Sequence, residues 1–341
     1  MPATIRDVAR EAGVSVATVS RVLNGSGPVS GSTQERVRKA AATLRYTPHL
    51  GARSLSSRRT QSVGVILPDL YGEFFSEVIR GMDGATRAAG YHLLLSGYHA
   101  DESEVAAALR AMRGRVDGLV LMSPDIVPDE LQWMVPPGSP VVLVNAGAAG
   151  GRFDTLDVDN GGGAYAAVHH LASLGHSRIG LISGEPLNHD ACARRTGYRA
   201  AVEAAGLPWR AEWEVDSDFT KSGGYAAARS LARLVHERPT AVFAANDSMA
   251  VGAMSAFHET GLRVPQDVAV VGFDDIPMAR YVTPPLSTVR VDLTHLGQRS
   301  IDLLLTALHD GVGHEPRHEV VETSLVIRRS CGSQVREHDP G

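Results

Sequence analysis

The chain has 341 residues, 43% of them hydrophobic and 21% charged, with a formal net charge of −5. That length accommodates two or three domains around a large core, and no run of about eighteen apolar residues is present to cross a membrane. Arg6, Asp7, Arg10 and Glu11 interrupt the amino terminus where a signal peptide needs an apolar stretch. Cys192 and Cys331 are too few for a disulfide framework or a zinc site, and the cytoplasm is the expected compartment. The charge is unevenly placed: residues 1–60 carry +7, which leaves −12 for residues 61–341. A basic head on an acidic body confines phosphate contact to one end.

Residues 4–25, TIRDVAREAGVSVATVSRVLNG, are predicted to form two short helices joined by a tight turn. Thr4 is placed to cap the first, Asp7 lies in its first turn, and Ile5, Val8 and Ala9 share one face. Gly13 can close it in the left-handed conformation. Val14 fills the corner, Ser15 caps the second helix, and Val19, Val22 and Leu23 form its buried stripe. Val16, Ala17, Thr18, Ser20 and Arg21 then lie outward or towards the helix start. Small side chains there let a helix enter a major groove, where methyl groups meet thymine and Arg21 can fork onto a guanine. Beyond Gly25, Gly27 and Pro28, Ser30 is expected to cap a third helix running to about Tyr46, with Val37, Ala40, Ala41 and Leu44 covering the first two. The competing reading is an αα-corner inside a larger helical domain. The amino-terminal position and polar outer face favour a DNA-binding head.

In YTPHLGARSLSSRRT (46–60), Pro48 forbids helix continuation through Thr47 but suits the first turn of a new helix. His49 to Ser56 offers only about two turns, and Gly51 weakens them, so the segment is expected to fold only when something holds it. Leu55 reads either as a wedge for a minor-groove base step or as a linker residue that packs on the next domain.

From residue 62, short apolar runs (SVGVIL, YHLLLS, DGLVLM, PVVLVN, TLDVD, RIGLIS, TAVFAA, VAVVGF) alternate with helical stretches. This is the pattern of parallel sheets covered on both faces, and its restatement after about residue 160 indicates two similar halves. In such sheets ligands bind at the carboxyl ends of strands. The candidates there are Asp69; Phe74 and Phe75, opening the next helix; Met122 and Ser123; Asn145; Asp190 and Arg194, one helical turn apart; Phe219; Asn246 with Asp247; and Asp274 with Asp275. Asp, Asn and Arg bind hydroxyls, and a flat aromatic covers the apolar face of a pyranose or purine. The plain alternatives are core packing for each Phe and helix capping for each Asp or Asn. Arg194 and Asp274 lead.

Residues 4–25 and 30–46, the Pro48…Ala52-Arg53-Ser54-Leu55 hinge, and, further on, DGLVLM (117–122), VDNGGGAYAAVHHLASLGHSRIGLISG (158–184), RRTGY (194–198), ANDSMAVGAM (245–254), GLRVPQDVAVVGFDDI (261–276) and PPLSTV (284–289) resemble the lactose-repressor/galactose-repressor (LacI/GalR) family of bacterial transcription regulators. The resemblance covers about residues 3–330. It implies an all-α helix-turn-helix domain over 1–47, a hinge helix and linker over 48–60, and an α/β effector-binding and dimerisation domain over 61–330. The last would have two periplasmic-binding-protein-like lobes, each with a Rossmann-like parallel sheet, joined by three crossovers. Residues 331–341 read as a disordered tail with no leucine heptads for a coiled-coil tetramer. By the same resemblance Phe74, Phe75, Asp190, Arg194, Phe219, Asn246 and Asp274 match effector-contacting positions. Asn145-Ala146 departs from the family's frequent Asp-Arg or aromatic pair, Val291 stands where some members have a polar pocket residue, and Gly51 is a poor helix former.

The expected mechanism is a homodimer on a palindromic operator, with Val16, Ala17 and Arg21 reading bases. Thr4, Ser15, Thr18, Ser20, Asn24, Ser30, Tyr46 and His49 are placed for backbone or phosphate contact. Ala52 and Leu55 belong to the hinge, whose insertion resembles the family's use of a central CG step. Ligand closure of the cleft would reorient the amino-terminal lobes and order or melt the hinge, linking ligand and operator affinities reciprocally. Repression relieved by a small sugar is the leading reading; a purine- or nucleoside-responsive corepressed regulator is the alternative. An enzyme is not expected, since G-x-S-x-G, Walker A and H-E-x-x-H are all missing. Residues 161–166 fit G-x-G-x-x-A with Glu185 further on, but Asp157 and Asp159 precede them where a pyrophosphate needs backbone amides, which disfavours an NAD-binding enzyme. His169, His170 and His176 lack the spacing and partners of a metal site, so surface or capping roles are expected, with no metal or cofactor.

Overall fold

The computed structural model describes residues 3–24, 27–46, 59–98, 102–122, 135, 139–147 and 151–333. The chain divides into two compact units, residues 1–62 with 114–117, and the remainder.

The first unit holds α1 (Ile5–Ala12), α2 (Val16–Asn24) and α3 (Gly31–Thr43). Thr4 and Asp7 form a reciprocal capping box: the Thr4 amide and hydroxyl donate to Asp7 Oδ2 at 2.9 and 2.6 Å, and the Asp7 amide donates back to Thr4 Oγ1 at 3.4 Å. Gly13, at φ 62°, closes α1, and Ser15 Oγ accepts the Thr18 amide at 3.1 Å to open α2. Val8, Ala9, Ala12, Val19, Val22, Val37, Ala40 and Ala41 make the core, with Val14, Leu23, Leu44 and Tyr46 packed around it. Two details differ from expectation. The third helix ends at Thr43, because Arg45 turns left-handed at φ 47° and the amides of Arg45 and Tyr46 fold back onto the carbonyls of Ala42 and Ala41. That Schellman closure normally uses glycine, so an arginine gave no stop signal. Ser30 does precede the helix, but its hydroxyl donates to Thr33 Oγ1 at 2.9 Å and makes no side-chain cap to the backbone.

The second unit contains β1 (Ser62–Leu67), α4 (Glu73–Ala88), β2 (His92–Gly97), α5 (Glu102–Met112), β3 (Gly118–Met122), β4 (Val141–Val144) and β5 (Asp154–Val158). There follow α6 (Asn160–Ser173), β6 (Ile179–Ile182), α7 (His189–Ala204), β7 (Glu214–Val215), α8 (Lys221–Ala232), β8 (Ala241–Ala244), α9 (Asp247–Glu259) and β9 (Ala269–Asp274). The last are β10 (Ser287–Arg290), α10 (Leu293–Asp310), β11 (His318–Val321) and β12 (Ser324–Val326). Two six-stranded sheets result, ordered β11-β5-β4-β3-β1-β2 and β12-β10-β9-β8-β6-β7. The pairings β1–β3–β4–β5–β11 and β7–β6–β8–β9–β10 are parallel, and the edge strand β12 runs antiparallel against β10.

Each sheet is the centre of one lobe, and the chain passes between lobes three times: from β5 to α6, from β10 to α10, and from β11 to β12. β3, β4, β6, β8 and β9 are buried along their whole length. That is why they read as unbroken apolar runs. The helices that frame the first lobe lie unusually close. A Cβ on Gly81 of α4 would sit 1.9 Å from the Thr294 carbonyl, and one on Gly297 of α10 would sit 2.0 Å from that of Val78. The two glycines face opposite backbones, so α4, which carries Phe74 and Phe75, is fixed in position by α10. Packed chain also continues past the expected start of the tail: Cys331 is fully buried and the Ser330 carbonyl accepts the Val270 amide at 2.8 Å. A free thiol packs as a small apolar group, so residue 331 belongs to the core; residues 334–341 lie outside the described residues. Among the described residues no helix is long and apolar enough to cross a membrane.

Candidate functional site

The carboxyl ends of both sheets open onto one interlobe cleft of about 540 Å³. Asp69, Phe74, Phe75, Met122 and Asn145 line it from the first lobe, and Asp190, Arg194, Phe219, Asn246 and Asp274 from the second. The positions follow from the elements. Met122 and Asp274 are the last residues of β3 and β9, Asn145 follows β4, and Asp190 and Arg194 lie one turn apart at the start of α7. Phe74 and Phe75 open α4 with their rings edge to face at 5.1 Å. Asn246 caps α9 through the Met249 amide at 2.8 Å, while its own amide donates to the Phe219 carbonyl at 3.0 Å. That bond holds Phe219 at a left-handed φ of 61°.

At the inner wall Arg194 is buried. Its Nε donates to Asn160 Oδ1 at 2.7 Å, a terminal nitrogen donates to the Ala245 carbonyl, and the guanidinium lies 3.9 Å from the centre of the Phe273 ring. Asp274 Oδ1 is 3.6 Å from the other terminal nitrogen, an ion pair without a hydrogen bond. Asp190 accepts from the side-chain amides of Asn145 and Asn160, each at 2.9 Å. Burial pushes both carboxyls up, Asp274 to about 7, against the opposing pull of Arg194. Asp274 Oδ1 and Asn145 Oδ1 are buried acceptors with no hydrogen-bond donor among the described residues. Asn145, Phe219 and Asp274 are also three of the six described non-glycine residues at positive φ, strain of the kind that concentrates where a ligand is held. Behind this wall, fully buried Asp247 accepts from the Ile276 amide at 2.9 Å and the Thr288 hydroxyl at 2.6 Å, fixing the turn after Asp274. Burial and the nearby Asp274 charge raise its carboxyl well above the ordinary range.

Tyr71, Glu73, Asn188, Asp218, Thr220 and Ser248 line the same cleft and were not singled out from sequence. They sit on loops and helix starts that meet only when the lobes face each other. Glu185, read as a possible nucleotide-site acid, is there too. The glycines of residues 161–163 serve packing: Asp159 caps the Gly162 amide at 2.9 Å, and a Cβ on Gly163 would strike Phe273, Val289 and Thr323. Val291 is buried in the core. His169 is exposed and stacks on Tyr165, while His170 and His176 are half-buried. The latter two lie at the carboxyl end of α6, where the His176 amide closes the helix on the Leu171 carbonyl at 3.3 Å; their side chains bond Ser333 Oγ at 3.2 Å and Thr240 Oγ1 at 3.1 Å, and burial lowers both imidazoles.

On the helical unit, Val16, Ala17 and Arg21 form an exposed face of α2, flanked by half-buried Thr18 and Ser20. Thr4, Ser15 and Ser30 are exposed and Tyr46 is half-buried. Asn24 ends α2, with its side chain outside the described residues, where His49, Gly51, Ala52 and Leu55 of the hinge also lie.

Comparison with known proteins agrees with both parts. Residues 4–49 match the model for bacterial regulatory proteins of the lacI family, and residues 168–331 that for the periplasmic binding protein-like domain. The chain is 38% identical over 333 residues to the HTH-type transcriptional repressor PurR of Yersinia pestis, covering 96% of each protein. The lac repressor dimer bound to operator and the anti-inducer ONPF superposes with a TM-score of 0.86 at 28% identity, covering 97% of this chain and 99% of that one. A complex of the transcriptional regulator CelR with cellobiose gives a TM-score of 0.73 at 33% identity, covering 96% and 99%. With a helix-turn-helix head, a two-lobed body and near-complete coverage by such relatives, the chain belongs to the LacI family of DNA-binding bacterial transcription regulators.

Proposed function

We propose that this regulator is a homodimeric, cytoplasmic repressor, without catalytic activity, whose operator affinity is set by a small saccharide held between the lobes. The observation that carries the reading is the cleft's inner wall. Asp190, Arg194 and Asp274 are fixed there beside aromatic rings, and two buried oxygens, on Asp274 and Asn145, await hydrogen-bond donors. Buried acceptors without donors are destabilising by about 1–3 kcal/mol each, and a ring rich in hydroxyls supplies donors while its apolar face packs on phenylalanine. The cellobiose complex of a related regulator supports the same class. On the DNA side, Val16, Ala17 and Arg21 read base edges, and Thr4, Ser15, Thr18, Ser20, Asn24, Ser30, Tyr46 and His49 position the head on phosphates; Ala52 and Leu55 act from the hinge.

The test is a thermal-shift screen of the full chain against monosaccharides, disaccharides, polyols and nucleobases. A ligand at 100 times its Kd stabilises by about 2.7 kcal/mol, and both Arg194→Ala and the near-isosteric Asp274→Asn should abolish or strongly weaken the response. Silence from every saccharide, or a response from a nucleobase alone, overturns the saccharide assignment.

A further inference from the structure

Beyond the three crossovers, the lobes are also bonded to each other directly. At the inner wall the Asn145 side-chain amide donates to Asp190 at 2.9 Å. A second bond runs from the Met278 amide of the second lobe to Glu73 Oε2 of the first, at 2.7 Å, between residues 205 positions apart in the chain. Both ends of that second bond are anchored. Glu73 is the first residue of α4, whose place is fixed by the close backbone approach to α10 at Gly81 and Gly297. Gly72 precedes it and the helix has no side-chain cap, so the carboxylate reaches away from its own helix. Met278 lies in the one-turn helix Pro277–Arg280, held to the second lobe by the Ile276 amide on Asp247 Oδ2 at 2.9 Å and the Leu286 amide on the Ala279 carbonyl at 2.8 Å. A side chain anchored in one lobe and a backbone amide anchored in the other keep hydrogen-bond distance only over a narrow range of lobe orientations. Glu73 also lines the cleft, next to Phe74 and Phe75.

We propose that the Glu73–Met278 bond is a strap that holds the lobes in the arrangement seen here, and that it sets the saccharide concentration at which operator affinity changes. The proposal rests on the saccharide reading above and adds the regulation of that same site. Closure of a cleft on a ligand turns one lobe against the other, and a bond with two anchored ends is lost once donor and acceptor part by about 1 Å. The strap therefore stabilises the present arrangement against the closed one, and a ligand that needs closure has to break it. A hydrogen bond to a carboxylate is among the stronger kinds, so its removal shifts the lobe equilibrium by about tenfold. Glu73 is thus a positioning residue, acting on the saccharide through lobe orientation and not through contact with it.

Isothermal titration of the full chain with each saccharide of the screen that binds the wild type tests this, alongside operator titration by fluorescence anisotropy. Glu73→Ala deletes the acceptor and is expected to tighten saccharide binding about five- to tenfold, with saccharide-free operator affinity unchanged or weaker by at most the same factor. Glu73→Gln keeps a carbonyl oxygen for the Met278 amide and should stay within about threefold of the wild type. A merely structural role at the helix start, or a direct contact between Glu73 and the sugar, would weaken saccharide binding instead of tightening it. Saccharide affinity of Glu73→Ala that is weaker than wild type or within about twofold of it, operator binding that tightens, or a Glu73→Gln chain as tight as Glu73→Ala would each overturn the strap while leaving the saccharide reading intact. Silence of the wild type towards every saccharide overturns both.

Discussion

Replacing Asp274 by Asn should flatten the pH dependence of stability between about pH 4 and 8. Burial raises this carboxyl from 3.8 to about 7 in the folded chain, and its side chain is only 5% exposed, so solvent screening gives little discount. At 1.36 kcal/mol per decade, a shift of that size disfavours the folded, ionised state by roughly 4 kcal/mol. The sign is set by proton binding. Between the ordinary carboxyl value and about 7, the folded chain keeps a proton that the unfolded chain has released, so wild-type stability falls as pH rises through that window and levels off above it. The amide variant has no proton to lose. The neighbouring Asp190 charge adds to the rise, and the wild-type-minus-variant difference should fall by roughly 2–4 kcal/mol from pH 4 to pH 8. Urea unfolding followed by intrinsic tryptophan fluorescence, to which Trp213, buried beside β7, contributes, measures it at pH 4, 5, 6, 7 and 8. Superimposable pH profiles would mean that the Arg194 ion pair outweighs burial, and the description of the cleft wall would be wrong.

Two other substitutions test separate parts of the account. Gly81→Ala places a Cβ 1.9 Å from the Thr294 carbonyl, a backbone atom that cannot swing aside. It should destabilise by about 1–3 kcal/mol in urea and weaken saccharide binding by displacing Phe74 and Phe75; unchanged stability would contradict the close approach of α4 and α10. Arg21→Lys keeps the charge but loses the planar fork, so operator binding should weaken by about 1–3 kcal/mol with relaxed preference at a single base pair and an unchanged salt slope. A uniform loss across all DNA sequences would mark Arg21 as a phosphate contact.

The head and sheet architecture were legible because their signals are local. Gly13, the Thr4–Asp7 box and the α2 stripe each act within one or two turns, and eight strands announced themselves as apolar runs. β7, β10, β11 and β12 did not. β7 has two residues, and β11 and β12 are half-exposed at sheet edges; β11 is completed by pairing with β5, some 160 positions earlier in the chain. The same limit explains the cleft. Met122, Asn145 and Asp274 follow from the rule that ligands meet strand ends, whereas Tyr71, Glu73, Asn188 and Asp218 reach the cleft only once two lobes close on one another. Arg45 shows the converse failure, a left-handed helix stop written in a residue that ordinarily gives no such signal.

The central claim is that cleft and operator are thermodynamically linked, and one measurement addresses it directly: operator affinity of the full chain with and without a saturating saccharide found in the screen, together with saccharide affinity with and without operator. The account predicts that the sugar changes operator affinity by about 5–150-fold, that operator changes sugar affinity by the same factor, and that Asp274→Asn removes both effects while leaving ligand-free operator binding intact. A saccharide that occupies the cleft and leaves operator affinity unchanged would contradict it.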